Sequence, residues 1–227
     1  MLKFGIQEVS YLNINETMVN SVIRISPLEN FVSTVQNVFT TDGSTIIRNQ
    51  TQNLQFCSTL YIESEDLIVG MSGLHSELSV LNYRTNEVLV EHYRTNQNSG
   101  VFHMIYSPYS QSLITIGQGV KVFNFVITKV SSFKKSVKIS LRSSFADYFD
   151  TSLLCKPPFD ENLQLLYLPS PKNTGIVAYD LDGKIVRTVT KMKLPSPFAF
   201  DFCPGTGKIL ASDEFSGSSL VLWDPSS

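Results

Sequence analysis

The feature that most constrains the fold of this 227-residue chain is a unit of short apolar runs that recurs along the whole sequence. Each unit opens with a β-rich run that ends at or near a stop, and successive stops lie about 40 to 50 residues apart. The stops are Pro27, Pro108, Pro158, Pro204 and a weaker one at Glu63. Proline suits the end of a strand because it lacks the N–H donor that a strand ladder needs.

Each stop is followed by further runs, so that a unit contains four strands, which we name a, b, c and d. The b strands are predicted at 30–35, 66–71, 112–117, 163–168 and 208–213. The c strands are predicted at 37–42, 78–83, 120–125, 175–180 and 219–224. The more polar d strands are predicted at 44–49, 87–92, 134–141 and 184–189. Inner strands that are apolar throughout indicate a sheet that is covered on both faces.

The composition supports an all-β fold and excludes some classes of function. Alanine occurs only at Ala146, Ala178, Ala199 and Ala211, whereas β-branched and aromatic residues are plentiful, so strands are favoured over helices. The net charge of −2 and a charged fraction of 17% exclude a globally basic nucleic-acid binder and an acidic solvating tail.

The c strands carry a resemblance to a known family. The run 220–224 ends in Trp223-Asp224 and follows a glycine-serine turn, as in the second half of a WD repeat. The equivalent pairs in other units are predicted to be Tyr179-Asp180, Asn82-Tyr83 and Asn124-Phe125. The resemblance covers about five units and nearly the whole chain. No unit has the Gly-His pair that opens a standard WD repeat, because His75, His92 and His103 lie at other registers.

The resemblance and the repeat together predict a WD-repeat-like β-propeller of about five four-stranded antiparallel blades. We expect one domain over 1–227, with blades near 18–50, 54–93, 100–142, 151–190 and 197–224. The fifth unit stops at its third strand, and the segment 3–12 is a candidate for the strand that would close the ring. The alternative is that the chain is part of a larger ring, and an incomplete or atypical ring is the favoured interpretation.

The cysteines and the hydropathy pattern indicate the compartment. Cys57, Cys155 and Cys203 lie far apart in apolar stretches, which favours buried free thiols in a reducing environment. No apolar run reaches the length of about 20 residues that crosses a bilayer. We therefore expect a soluble intracellular protein of the cytoplasm or nucleus, with no membrane contact.

Three short motifs suggest chemistry, but each is interpreted as a turn. Gly205–Lys208 resembles a phosphate loop, yet Ile209 and a strand follow the lysine, so we predict an a–b turn. Gly117-Gln118-Gly119 is predicted to be a b–c turn. Asp180, Asp182 and Gly183 lack the further oxygen ligands of a calcium loop and predict a hairpin turn. No catalytic residue, metal site or cofactor is expected.

Two sets of residues are candidates for binding. Four loop residues are predicted to ring one rim, and Tyr109 lies on another loop; the four are His75, Gln118, Lys172 and Phe215. The second set is a basic patch without an acidic residue, formed by Lys129, Lys134, Lys135, Lys138 and Arg142. It is either a surface for an acidic partner or phosphate backbone, or a charged outer strand that prevents edge pairing. Its predicted internal partners are Asp147, Asp150, Asp160 and Glu161.

The resemblance implies a non-catalytic scaffold or adaptor that presents rim loops to other proteins within a larger assembly. Nucleic acid is not an expected partner. One alternative is a propeller enzyme or small-ligand binder that uses the central channel, for which Asp201 is a candidate residue. Another is a propeller fragment without independent activity, because fold alone does not fix function.

Overall fold

The structure is a computed structural model that describes fifteen stretches of the chain. They are residues 24–25, 31–33, 37–40, 45–48, 56–72, 77–85, 87–95, 103–117, 119–131, 134–146, 157–170, 176–189, 197–203, 208–213 and 220–223. These stretches contain 19 β-strands and one short 3-10 helix, Glu63–Glu65. Within them there is no helix long and apolar enough to span a membrane.

The strands form five antiparallel sheets, and each sheet consists of strands that are consecutive in the chain. Sheet 1 contains β1 (Arg24–Ile25), β2 (Phe31–Ser33), β3 (Asn37–Thr40) and β4 (Thr45–Arg48). Sheet 2 contains β5 (Phe56–Ile62), β6 (Leu67–Ser72), β7 (Glu77–Asn82) and β8 (Glu87–Arg94). Sheet 3 contains β9 (His103–Ser107), β10 (Ser112–Ile116), β11 (Val120–Lys129) and β12 (Lys135–Phe145). Sheet 4 contains β13 (Phe159–Asp160), β14 (Leu165–Pro169), β15 (Ile176–Asp180) and β16 (Ile185–Val189). Sheet 5 contains β17 (Pro197–Cys203), β18 (Lys208–Asp213) and β19 (Leu220–Trp223).

Two details recur from sheet to sheet. In each four-stranded sheet the d strand has a one-residue bulge opposite the c strand, at Ile46, Leu89, Arg142 and Val186. In sheets 2, 3 and 4 the residue just before the b strand has a positive φ, at Asp66, Gln111 and Gln164. Bulges and left-handed residues are specific local geometries, so their recurrence shows that the units are structural repeats.

The strand registers correct the predicted positions of the family-like residue pairs. The first residue of the b strand lies opposite Asn82 in sheet 2, Asn124 in sheet 3 and Asp180 in sheet 4. Asn82 and Asn124 are therefore equivalent to Asp180, and the predicted pairs Asn82-Tyr83 and Asn124-Phe125 are wrong by one residue. Asn82 and Asp180 each accept backbone N–H groups of the following turn, so the c strand ends at the same position in sheets 2 and 4.

One strand boundary also differs from the prediction. The first strand of the fourth unit was expected to end at Pro158, but β13 follows this proline. The Pro158 carbonyl accepts a hydrogen bond from Tyr167 N at 3.0 Å. Proline lacks only the donor, so it is tolerated at the start of a strand as well as at its end. The predicted closing strand at 3–12 lies outside the described residues.

Sheet 3 is packed on both faces, which explains why its inner strands are apolar throughout. Side chains alternate along β10, so that Leu113 belongs to a core with sheet 2 and Ile114 to a core with sheet 4. The core with sheet 4 continues to Ile209 of sheet 5. Sheets 2 to 5 therefore stack face to face in chain order, whereas a two-layer sandwich would leave one face of each sheet without a partner.

Candidate functional site

The meander topology separates the connections into two rims. In an antiparallel sheet with the order a, b, c, d, the a–b and c–d turns lie at the same end of the strands, which we call the first rim. The b–c turns lie at the opposite end of the strands, which we call the second rim. Tyr109 lies in the a–b turn of sheet 3 and is on the first rim. The predicted residues His75, Gln118, Lys172 and Phe215 belong to b–c connections, but they lie outside the described residues.

Tyr109 is displayed on a turn that is clamped to the neighbouring sheet. Its side chain is 81% exposed. Its backbone N–H donates to Glu161 Oε1 at 3.1 Å, and Ser107 Oγ donates to the same oxygen at 2.8 Å. Ser110 Oγ in turn donates to Ser107 Oγ at 2.8 Å. An exposed aromatic side chain thus stands on a backbone that hydrogen bonds fix between sheets 3 and 4.

The corresponding turn of sheet 4 displays a second apolar side chain. Leu163 is 63% exposed, and its backbone N–H donates to Asp160 Oδ1 at 3.0 Å. Asn162 N donates to the same carboxylate oxygen at 2.9 Å, so the turn is also held internally. We call Tyr109 and Leu163 the rim pair. Sequence reasoning missed Leu163 because it assigned this residue to the b strand, which begins at Leu165.

The basic patch lies on a hairpin that extends beyond its own sheet. β11 and β12 have 10 and 11 residues, but β10 pairs with β11 only as far as Asn124. The register continues from Phe125↔Ile139 to Lys129↔Lys135, where the two strands pair only with each other among the described residues. One side of this extension packs on the core of sheet 2 through Phe125, Ile127, Val137 and Ile139.

Lys135 attaches the hairpin to sheet 2. Its side chain is only 11% exposed, and its Nζ lies 3.3 Å from Glu65 Oε2 and 3.6 Å from Asp66 Oδ2. Nζ also donates to the carbonyl oxygen of Glu65. Lys129 Nζ lies 3.7 Å from the same Glu65 carboxylate. The acidic turn that follows β5 is therefore neutralised by the neighbouring sheet, and a half-buried ion pair of this kind positions the hairpin.

Asp66 is also bound within its own sheet. Arg84 Nε lies 2.6 Å from Asp66 Oδ1, and Tyr83 OH donates to the same oxygen at 3.3 Å. Burial, and then the negative charge of Asp66, raise the pKa of Tyr83 above its usual value. The shift favours the protonated phenol, which is the form that donates to Asp66.

Arg142 attaches the other end of β12 to sheet 4. Arg142 is the bulge residue, and its guanidinium donates to both carboxylate oxygens of Asp182, at 2.8 and 3.1 Å. These hydrogen bonds lower the pKa of Asp182. Ser143 Oγ donates to the carbonyl oxygen of Leu181 at 2.6 Å. The bulge thus aims two successive polar residues at the neighbouring turn.

These contacts divide the predicted basic patch. Lys129, Lys135 and Arg142 are engaged between sheets, whereas no described carboxylate lies within ion-pair distance of Lys134 or Lys138. The predicted acidic partners are wrong for the described residues, because Asp160 and Glu161 bind turn groups of sheets 3 and 4. Asp147 and Asp150 lie outside the described residues. The role of the remaining patch as a binding surface stays a prediction.

The motifs interpreted as turns occupy the expected connections. Asp180 Oδ1 accepts Asp182 N at 3.0 Å and Lys184 N at 2.9 Å, which confirms the hairpin turn between β15 and β16. Gly117 N donates to Gly119 O at 2.9 Å, which confirms the b–c turn of sheet 3. Lys208 lies opposite Cys203, so the Gly205–Lys208 segment connects an antiparallel a–b pair.

Five meandering antiparallel sheets, of which sheets 2 to 5 share cores in chain order, define an all-β protein of the β-propeller fold. The chain is similar to the β-propeller domain of Cps50 (Swd1) from Myceliophteria thermophila, with a TM-score of 0.59 and 12% sequence identity. The similarity covers 88% of this chain and 81% of that one. The predicted fold class is therefore confirmed. No family model matches the sequence, and no curated protein matches it.

Proposed function

We propose that this chain is a WD-repeat-like β-propeller that acts as a non-catalytic scaffold or adaptor and binds protein partners through its first rim. The observation that carries the proposal is the rim pair, in which Tyr109 and Leu163 are exposed on hydrogen-bonded turns of neighbouring sheets. The WD-repeat assignment is supported by Asn82, Asn124 and Asp180, which occupy one equivalent position in three sheets.

The physical basis of the proposal is rigid presentation. A side chain on a turn whose backbone is already fixed loses little conformational entropy when a partner binds, so more of the contact energy appears as affinity. Tyrosine is also enriched among the residues that dominate binding energy at protein interfaces. Glu161 is the central acceptor of this arrangement, because it binds the Tyr109 backbone and the Ser107 hydroxyl at the same oxygen.

The second rim remains a separate candidate surface. The residues predicted to project there are His75, Gln118, Lys172 and Phe215. A partner bound through them would approach the opposite ends of the strands. Variants of the rim pair distinguish the two surfaces, because they alter only the first rim.

The test is affinity purification of the full chain from its native cells, with mass spectrometry of the bound proteins. We expect the wild-type chain to retain a stoichiometric protein partner. The Tyr109→Ser, Leu163→Ser double variant is expected to lose at least about nine-tenths of that partner, since removing two exposed anchors costs on the order of 2 kcal/mol or more of binding energy.

The matched control is the double variant Ile185→Ser, Val186→Ser on β16. Both of these side chains are 53% exposed, so the control removes a similar amount of exposed apolar surface away from the rim pair. Thermal melting should be unchanged in both double variants. Equal partner recovery from the two variants would contradict the assignment to the rim pair, and recovery of a bound metabolite instead of a protein would contradict the scaffold role.

A further inference from the structure

The outer strand of sheet 3 is the longest outer strand in the described part of the protein. β12 has 11 residues, compared with 4 in β4, 8 in β8 and 5 in β16. It is the terminal strand in the order β12-β11-β10-β9, so no described strand pairs with its outer edge. The stretch from Lys135 to Leu141 keeps a regular register with β11, and the bulge begins only at Arg142.

The hydrogen bonds show which backbone groups this edge presents. Val130 N donates to Lys134 O at 2.8 Å at the closed end of the hairpin. Hydrogen-bonded and non-bonded pairs alternate along antiparallel strands, so Lys135, Val137, Ile139 and Leu141 direct their N–H and C=O groups outward. The Phe125 N–H supports this alternation. Phe125 lies opposite Ile139 but donates its N–H away from β12, to Gln111 O at 2.7 Å, so Phe125 and Ile139 are a non-bonded pair.

The side chains beside the edge favour one kind of strand over others. Lys134 and Lys138 are exposed and have no carboxylate partner among the described residues. Leu141 is 52% exposed at the end of the regular stretch. Edge lysines oppose pairing with a second copy of the same strand, since like charges would face each other. The same lysines attract a strand that carries carboxylates, because opposite charges across a strand pair are stabilising.

We propose that the outer edge of β12 binds an extended acidic segment of a partner protein, which adds to sheet 3 as a further antiparallel or parallel strand. Its carboxylates pair with Lys134 and Lys138, and its apolar residues cover Leu141. Backbone hydrogen bonds supply affinity in this mode of recognition and the side chains supply selectivity. A nucleic acid fits less well, because it requires a broader basic field and exposed aromatic side chains for stacking.

This inference shares with the proposed function only the premise that the chain binds proteins, and it concerns a different surface. The two assignments can fail separately. If the peptide binds the β12 edge and the rim variants still retain their partner, the rim assignment is contradicted and the edge assignment is not. The rim variant Tyr109→Ser, Leu163→Ser should bind the peptide normally.

The experiment measures fluorescence anisotropy of a short labelled peptide, in which Glu alternates with Val or Thr, titrated with the full chain. We expect saturable binding that weakens about tenfold or more in the Lys134→Glu, Lys138→Glu double variant, because each reversed pair turns attraction into repulsion. The matched control is Lys184→Glu, Arg187→Glu on sheet 4, which changes the net charge equally and involves two exposed residues. The control should bind the peptide as the wild type does.

A second probe separates strand addition from simple charge attraction. The same peptide with N-methyl groups on alternate residues keeps its charge but loses the donors that face one edge, so it is expected to bind at least about tenfold more weakly. A single-stranded oligonucleotide of equal charge should compete poorly. No binding of the acidic peptide, equal binding of the N-methylated peptide, or tighter binding of the oligonucleotide would each overturn the proposal.

Discussion

Phe123→Ala is expected to lower the free energy of unfolding by about 3 to 5 kcal/mol, the usual range for removing a buried phenylalanine ring. Phe123 is almost fully buried in the core between sheets 2 and 3. Its ring packs edge to face on Tyr93, with the ring centroids 6.0 Å apart. The loss should be visible as a large shift of the urea midpoint, provided that the transition remains cooperative.

The control for this prediction is a substitution of the cross-strand neighbour of Phe123. Leu141 lies opposite Phe123 in the β11–β12 register but is 52% exposed. Leu141→Ala is therefore expected to change the free energy of unfolding by at most about 0.5 to 1 kcal/mol. Similar losses at the two positions would contradict the assignment of Phe123 to the core that joins the two sheets.

Gly183→Ala is expected to have the second largest effect, a loss of about 2 to 4 kcal/mol. Gly183 has a φ of +83° in the turn between β15 and β16, a conformation that L residues rarely adopt. A Cβ atom at this position would lie 2.7 Å from Cδ1 of Phe145. The Phe145 ring would have to leave its stacked position on Tyr179, where the ring centroids are 5.3 Å apart.

Lys184→Ala is the matched control in the same turn. Lys184 is exposed, and the bond that it makes to Asp180 comes from its backbone N–H, which the substitution retains. We expect a change within about 0.5 kcal/mol in the free energy of unfolding. If Gly183→Ala melts at the wild-type temperature, Phe145 does not pack over this turn as described.

Much of the fold could be predicted because strand positions depend on local residue patterns. The run 112–117 is apolar and bounded by turn residues, and it forms β10 (Ser112–Ile116). The run 208–213 forms β18 over the same residues. The Asp182-Gly183 pair predicted its turn because glycine alone tolerates the required φ without strain.

The register of the c strands could not be predicted because it depends on pairing with another strand. Asn82-Tyr83 ends the apolar run 78–83 before a turn, and the sequence alone therefore places the family pair there. The structure places Asn82 opposite Leu67, and Leu67 is the residue that follows the left-handed residue Asp66. Nothing local to residues 78–83 specifies that partner, so a one-residue error was invisible in the sequence.

The ionic contacts of the candidate sites could not be predicted from the sequence either. Lys135 binds Glu65, which lies 70 residues earlier in the chain, and Arg142 binds Asp182, which lies 40 residues later. The sequence showed a basic run and several carboxylates, but the choice among them depends on which turns of neighbouring sheets meet. Glu161 was expected to neutralise the basic patch and instead clamps the Tyr109 turn.

The most direct test of the account measures distances between methyl groups on the two faces of sheet 3. A methyl-labelled sample of the full chain should give nuclear Overhauser effects from Leu113 to sheet 2, at Leu67, Val69 or Leu78. Ile114 should give them to sheet 4, at Leu166 or Leu168, because adjacent residues of β10 point to opposite faces. Effects from both residues to a single sheet, or from one residue to solvent alone, would contradict a stack of sheets in chain order.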